Sequence, residues 1–460
     1  MTDTTTLAPR LVRVAPAPPV RIVHLGLGAF ARSHTAWYTA HAADAADWGI
    51  AAYAGRTRTL ADALTAQDGL YTLILRGPQD DSTETITSLV RAHAAADVRP
   101  LLNDLAAAST AIVTLTITEA GYKLSTGGTL DLADPDVLAD LHLLRAVGAE
   151  RIEADVASPV TVLGRLVLGL ELRRRTGSGP VTLLSCDNLP DNGGVLRSAV
   201  EALAAVVPGL ADWICESVGF ASSSVDRITP RLSGADAAAL ESALDDRSPV
   251  VAEPFSDWVI SGDFPAGRPA WDTAGARFVD DLEPWEARKL WMLNGAHTLL
   301  ACLGALRGHS TVAEAIADPV CRQAVEHLWD EAARNLPPGL ELADYRDALL
   351  ERFGNSRISH ALTQIAADTV TKLRLRIAPM VVAELASGRV PLGGATAVAA
   401  WIAAGRAGLL PDPSTTRAES IRASIEQVHP RLAADSAFVA LVEQVLAQLP
   451  SAQTAPPERG

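Results

Sequence analysis

VRIVHLGLGAFA, residues 20–31, decides how the first half of this chain folds. Val20 to Leu25 alternates as a β-strand does and runs straight into Gly26-Leu27-Gly28-Ala29-Phe30-Ala31, a G-x-G-x-x-A pattern. The first glycine allows a tight turn, and the second lets backbone approach a pyrophosphate. Ala31 is small enough for a helix to pack closely on the strand. The phosphates would meet the free N–H groups of the helix that opens here and continues through Arg32, Ser33 and His34. A plain strand–turn–helix can use the same letters, so the turn gains its meaning from its place behind an apolar strand at the start of the fold.

Working outward, Ile50 to Ala54 reads as a second strand and ends in Gly55-Arg56-Thr57-Arg58. An acidic residue that would hold ribose hydroxyls is missing at this point, and Asp62 comes only a turn later. Arg56 and Arg58 could greet a 2′-phosphate, so NAD and NADP both stay open. With the turn residues Gly26, Gly28, Ala29 and Phe30, Arg56 completes the candidate cofactor contacts. Ala111 to Thr118 is a β-prone run ending at Glu119, which a parallel sheet would set at its ligand-binding edge. Ser158 to Arg175 reads as an amphipathic crossover helix stopped by Gly177. Val181 to Ser185 is another buried strand, leading into Cys186-Asp187-Asn188 and on to Asn192. Part of that cluster is turn chemistry, and Asn188, nearest the strand, is the candidate donor to a substrate. Val225 to Pro230 could end a further strand, residues 254–269 read as a β excursion, and Phe278 to Asp280 leads to a boundary near Asp281.

Beyond Pro284 the pattern is helical, with helices expected at 284–307, 311–333, 342–352, 358–370, 375–386, 393–406, 416–427 and 434–448. The first contains KLWMLNGAHTLL (289–300), which carries Lys289, Asn294 and His297 on an otherwise apolar stretch. At about 100° per residue the three spread over roughly 140°, with His297 between the others. An amine, an amide and an imidazole sharing one face make a proton-transfer site, since burying them to no purpose is costly. Lysine occurs only at 123, 289 and 372 among 39 basic residues. Guanidinium stays protonated at neutral pH whereas a buried ammonium drops its pKa, so the surviving lysines are enriched for sites that need a compact amine. Glu286, one turn before Lys289, could relay its proton or pair with Arg288. Lys372, Arg374 and Arg376 form a second cationic cluster, suited to a sugar hydroxyl or a carboxylate, or else a solvated charge run.

At 460 residues two domains are the first expectation. They are a lead over 1–19, a Rossmann-type NAD(P)-binding domain over 20–280, an α-helical substrate domain over 281–450 and a flexible tail over 451–460. The fold class is α/β followed by α. A net charge of −15 argues against nucleic acid or an anionic membrane as partner. The four cysteines show no metal or disulfide spacing and read as buried hydrophobes in a reducing cytoplasm. Val390 to Gly405 is uncharged but too short to span a bilayer. No metal is expected.

Six segments together resemble the mannitol dehydrogenase and fructuronate reductase family of long-chain polyol dehydrogenases. They are HLGLGAFARSH (24–34), QDGLYTL (67–73), TLTITEAGY (114–122), LLSCDNLPDNG (183–193), VDRITP (225–230) and KLWMLNGAH (289–297). The resemblance implies NAD(P) as cofactor and Lys289 as general base, with Asn188 and Asn294 donating to the developing alkoxide. It further implies that His297 orients the substrate or the lysine, that Asp226 and Lys372 contact remote hydroxyls, and that Glu286 and Glu119 flank a proton exit. The chain departs from the family at Ala31, often His, at Ala120, often Lys, and at Arg374, where Pro is usual. Gln364 stands where mannitol-specific members have Arg, and with Arg376 it looks more like the uronate-reducing branch. The expected activity is therefore a mannonate/fructuronate-type oxidoreductase on a sugar acid or polyol. The alternatives are a mannitol 2-dehydrogenase or other polyol (arabinitol, sorbitol) dehydrogenase, a sugar-phosphate dehydrogenase and, lower, a non-catalytic NAD-binding sensor. A monomer or weak homo-oligomer is expected.

Overall fold

The computed structural model describes residues 11–55, 57–149, 158–230, 232–358, 360–411 and 420–449. Arg56, the expected tail, residues 1–10 of the expected lead and the start of the 416–427 helix lie outside them. The described part of the lead is anchored by Arg13, which donates to the carbonyls of Thr87 at 2.9 Å and Leu89 at 2.7 Å. The chain divides into two compact units, with the main break between Leu282 and Glu283; the short stretch Gly77–Gln79 groups with the second unit.

Eleven strands build the first unit among the described residues: β1 Val20–Leu27, β2 Gly49–Ala54, β3 Tyr71–Arg76, β4 Asp81–Ile86, β5 Leu89–His93, β6 Ile112–Leu115, β7 Val181–Ser185, β8 Val218–Asp226, β9 Val250–Ala252, β10 Asp257–Ser261 and β11 Arg277–Phe278. The large sheet runs β5-β2-β1-β6-β7-β8 in parallel, then takes β10 antiparallel and β11 at its edge. That parallel run is the doubly wound nucleotide-binding order, with the chain reversing its direction of travel between β1 and β6. β2, β6 and β7 are buried along their whole length, as parallel strands covered on both faces must be. Alternate side chains of β1 feed two cores: Val23 and Leu25 pack into one, Ile22 into the other. A separate three-stranded sheet, β4-β3-β9, was not expected from the sequence.

The second unit is helical, and several expected boundaries change. The expected 311–333 helix is two, Val312–Ala317 and Pro319–Asn335, because Asp318 caps the second through Val320 N and Pro319 begins it. The 358–370 helix is corrected to a single turn at Leu362–Ile365, and a new helix runs over Thr369–Arg376 after Asp368 takes φ +52°. The 434–448 helix is interrupted at Asp435. The apolar Val390 to Gly405 stretch folds as the helix Leu392–Arg406, buried along most of its length. No helix among the described residues is long and apolar enough to cross a membrane.

Candidate active site

In the first unit, a cavity of about 1030 Å³ opens beyond the carboxyl ends of β1, β2 and β6, where the sheet changes direction. Gly26 lines it at φ +103°, and a Cβ added there would stand 2.1 Å from the Thr116 carbonyl oxygen. Only glycine serves both demands. Thr116 donates its hydroxyl to the Gly26 carbonyl at 2.9 Å and lies 3.1 Å from Nε2 of His24, whose Nδ1 is 2.8 Å from Thr114 Oγ1. Burial lowers the His24 imidazole to about 4, so this ring is a neutral brace for the turn. The volume exceeds the usual 300–1,000 Å³ of a drug-sized pocket and suits a dinucleotide.

From the glycine turn only Leu25, Gly26 and Leu27 line the cavity. Gly28 sits at the start of the Ala29–Ser33 helix, Ala29 is exposed, and Phe30 stacks on His34 with ring centroids 4.8 Å apart. At the end of β2, Arg58 lines the cavity and its guanidinium is held by Asp97 at 2.6 Å and Asp62 at 3.7 Å. Glu119 is exposed on a short turn, while its neighbours Thr118 and Ala120 reach the cavity wall. Lys123, also on the wall, is bound to Asp134 and Asp136, which raise its pKa.

Asn188 is exposed just past β7, and the residue before it proved to be the structural centre of this loop. The buried Asp187 carboxylate accepts from Ile117 N at 2.6 Å, Tyr122 Oη at 2.5 Å and Ser185 Oγ at 3.0 Å. Burial pushes it up to about 6 against these donors. Asn192 is fully buried, with Nδ2 donating to the Asp187 and Ser223 carbonyls, both at 2.7 Å. The sequence marks part of this cluster as turn chemistry and singles out only Asn188; the signal for Asp187 and Asn192 is their place just past the end of a buried strand. Asp226 closes β8, buried, in register with Asp257 of β10.

In the second unit, Glu283–Arg288 is α-helical, Lys289–Asn294 is a π turn, and Gly295–Leu306 resumes the α-helix. The expectation of a regular helix over 289–300 is corrected here. In a π turn an N–H reaches the carbonyl five residues back, as Gly295 does to Leu290. More residues then fit into each turn. Lys289 and Asn294, five apart, therefore approach one face, instead of the roughly 140° an α-helix sets between them. Glu286 and Lys289 are half-buried on consecutive turns. His297 is buried, with ring centroids 4.8 Å from both Phe353 and His360.

Arg376 donates from Nη1 to the Asn294 carbonyl at 3.2 Å and to Thr298 Oγ1 at 3.1 Å, and burial lowers its pKa to about 10. Lys372 donates to the Ile365 carbonyl at 2.7 Å, and its pKa is lowered by burial and then by the charge of Arg376. These two cations and Asn294 thus gather together, while Gln364 is exposed on the single-turn helix. His309, Asp318 and Cys321 bring ligand-type atoms within 4.8 Å of one another, and Oδ2 of Asp318 already accepts from Arg307 Nε at 2.6 Å and lies 3.0 Å from His309 Nε2. An ion pair with the Arg307 guanidinium satisfies this carboxylate.

Comparison with known proteins places both units. Residues 20–273 match the model of the mannitol dehydrogenase Rossmann domain, and residues 281–407 match that of the mannitol dehydrogenase C-terminal domain. A D-mannonate oxidoreductase of Escherichia coli is 39% identical over 83% of this chain and 79% of its own length. A D-arabinitol 4-dehydrogenase of Ralstonia nicotianae is 38% identical over 82% and 81%. The mannitol 2-dehydrogenase of Pseudomonas fluorescens, solved as a ternary complex with NAD and D-mannitol, superposes with a TM-score of 0.75 at 34% identity. It covers 94% of this chain and 92% of that one.

Proposed function

The chain belongs to the mannitol dehydrogenase family, and from that premise we propose that it is an NAD-dependent oxidoreductase interconverting a secondary alcohol and a ketone on a sugar acid or polyol. The observation that carries the reading is the π turn that turns Lys289 and Asn294 towards a common face. Held in the cavity beside Gly26, NAD would supply the hydride acceptor for the carbinol carbon in the oxidative direction. The Lys289 amine takes the hydroxyl proton and becomes an ammonium, so the ketone leaves with charge and electrons balanced. The Asn294 and Asn188 amides donate to the developing alkoxide. His297, pressed between aromatic rings, orients the substrate or the lysine, and Glu286 and Glu119 pass the proton outward. Because the amine performs the deprotonation, the proposed chemistry calls on no metal.

NAD is favoured over NADP because the Arg58 guanidinium is already neutralised by Asp97 and Asp62. Among substrates, the half-buried ammonium of Lys372 favours a sugar acid of the mannonate/fructuronate type, with Asp226 and Gln364 meeting hydroxyls. A neutral polyol such as mannitol or arabinitol is the second reading, supported by the comparable similarity to the arabinitol enzyme. The reading makes the protein a cytoplasmic enzyme of small molecules, as a monomer or weak homo-oligomer. The test is reduced-nicotinamide absorbance with a panel of aldonates and polyols, each run with NAD and NADP. Turnover of a hexonate with NAD is expected. Tight NAD binding with no turnover across the panel would instead make the chain a sensor.

A further inference from the structure

A π turn interrupts the hydrogen-bond ladder of a helix, and the carbonyls it displaces must find other donors when they are buried. Two carbonyls of this one accept from side chains on other helices, that of Met292 alongside the Gly295 N–H. Trp329, fully buried on Pro319–Asn335, donates its indole Nε1 to the Met292 carbonyl at 2.8 Å. Arg376, the last residue of Thr369–Arg376, donates Nη1 to the Asn294 carbonyl at 3.2 Å. Thr298 Oγ1 donates to the same oxygen at 2.9 Å and stands 3.1 Å from that Nη1. Each donor meets the segment between Lys289 and the end of its π winding. Winding 289–294 as a regular α-helix would turn the Met292 and Asn294 carbonyls away from these two donors and leave an indole and a guanidinium without their acceptors.

We propose that Arg376 and Trp329 are positioning residues that hold residues 289–294 in the π form, and so keep the Lys289 amine and the Asn294 amide on one face. This rests on the reading of Lys289 and Asn294 as the reacting pair. It gives Arg376 a duty different from the carboxylate contact expected of it, because Nη1 is spent on the helix, and only Nε and Nη2 stay available to a ligand.

The variants are Arg376→Leu, Arg376→Lys and Trp329→Phe, the last keeping an aromatic ring without its donor. Steady-state rates are measured with NAD on D-mannitol and on D-mannonate, and deuterium uptake is followed in a peptide spanning 289–298. Positioning predicts that Arg376→Leu lowers kcat by about 10- to 100-fold, by the same factor on both substrates and with KM little changed. Arg376→Lys restores part of the loss, and uptake at 289–298 accelerates in Arg376→Leu and Trp329→Phe. A loss confined to the KM for D-mannonate would make Arg376 a carboxylate contact and overturn the proposal. Unchanged uptake at 289–298 in folded Arg376→Leu would overturn it as well. Wild-type protein inert on both substrates would sink the proposed activity alone, since the uptake measurement still decides whether the clamp exists.

Discussion

The glycine turn at Gly26 and the π turn at Lys289–Asn294 solve the same problem by opposite means. At Gly26 the backbone itself forms the cavity wall, and side chains such as Thr116 and His24 only brace it. At Lys289–Asn294 the side chains are the proposed reacting groups, and the backbone beneath them leaves its regular winding. The first device needs a residue without a Cβ and leaves a visible letter. The second needs donors supplied from distant helices and leaves none.

Four changes would break or sharpen that contrast. The largest effect belongs to Lys289→Ala. Removing the base should lower kcat by about 10²–10⁴-fold while leaving the dissociation constant for NAD nearly unchanged, since the cavity at Gly26 is built without it. Loss of NAD binding in this variant would show that the two regions do not divide the labour.

Next comes the pH dependence of stability in the helical unit. Glu331 is buried and accepts from Gly393 N at 2.5 Å and Gly394 N at 2.9 Å, where its helix meets the start of Leu392–Arg406. A Cβ on Gly393 would lie 2.5 Å from Leu328 N, so the two helices touch backbone to backbone there. Burial raises Glu331 from 4.5 to about 7 despite those donors. Between these values the folded chain binds a proton that the unfolded chain has released. Stability should therefore fall as pH rises from about 4.5 to about 7, by about 3 kcal/mol in all. Denaturant titrations across that range should show the slope in the wild type and lose it in Glu331→Gln.

Gly26→Ala comes third. Positive φ and the clash with Thr116 add strain of about 1–3 kcal/mol, which should weaken NAD binding by about 5- to 150-fold, with kcat at saturating NAD less affected. The smallest effect is expected of Asp97→Asn. Freeing Arg58 from an exposed pair should shift the ratio of kcat/KM towards NADP by no more than about fivefold. A shift in the other direction would remove Arg58 from the account of cofactor choice.

The same contrast explains what could be read from the letters. β1, β2, β6 and β7 were legible because strands covered on both faces are short apolar runs, and Gly26 because its turn admits little else. Lys289, Asn294 and His297 stood out as polar residues in an apolar helix, although nothing in KLWMLN distinguishes π from α winding. β4, Asp81-Ser-Thr-Glu-Thr-Ile86, is mostly exposed and polar, and β9 is three residues long, so neither offered a periodic signal. The break at Asp318-Pro319 did have its signal, an N-cap followed by proline, and apolar periodicity on both sides masked it. Asp187 was hidden by company: beside Asn188, Pro190 and Gly193 a buried carboxylate looks like turn chemistry. The three lysines are not all special amines. Lys372 is desolvated as expected of a special amine, yet Lys123 spends its charge on two aspartates, a task arginine performs elsewhere in this chain.

The central claim is that an amine at position 289 receives the proton of the reacting hydroxyl. Chemical rescue of Lys289→Ala by small primary amines tests it most directly. The account predicts that NAD reduction returns in proportion to added amine and rises with the fraction of that amine left unprotonated. A variant that stays silent at every amine and pH while still binding NAD and substrate, or one that turns over at the wild-type rate unaided, would contradict it.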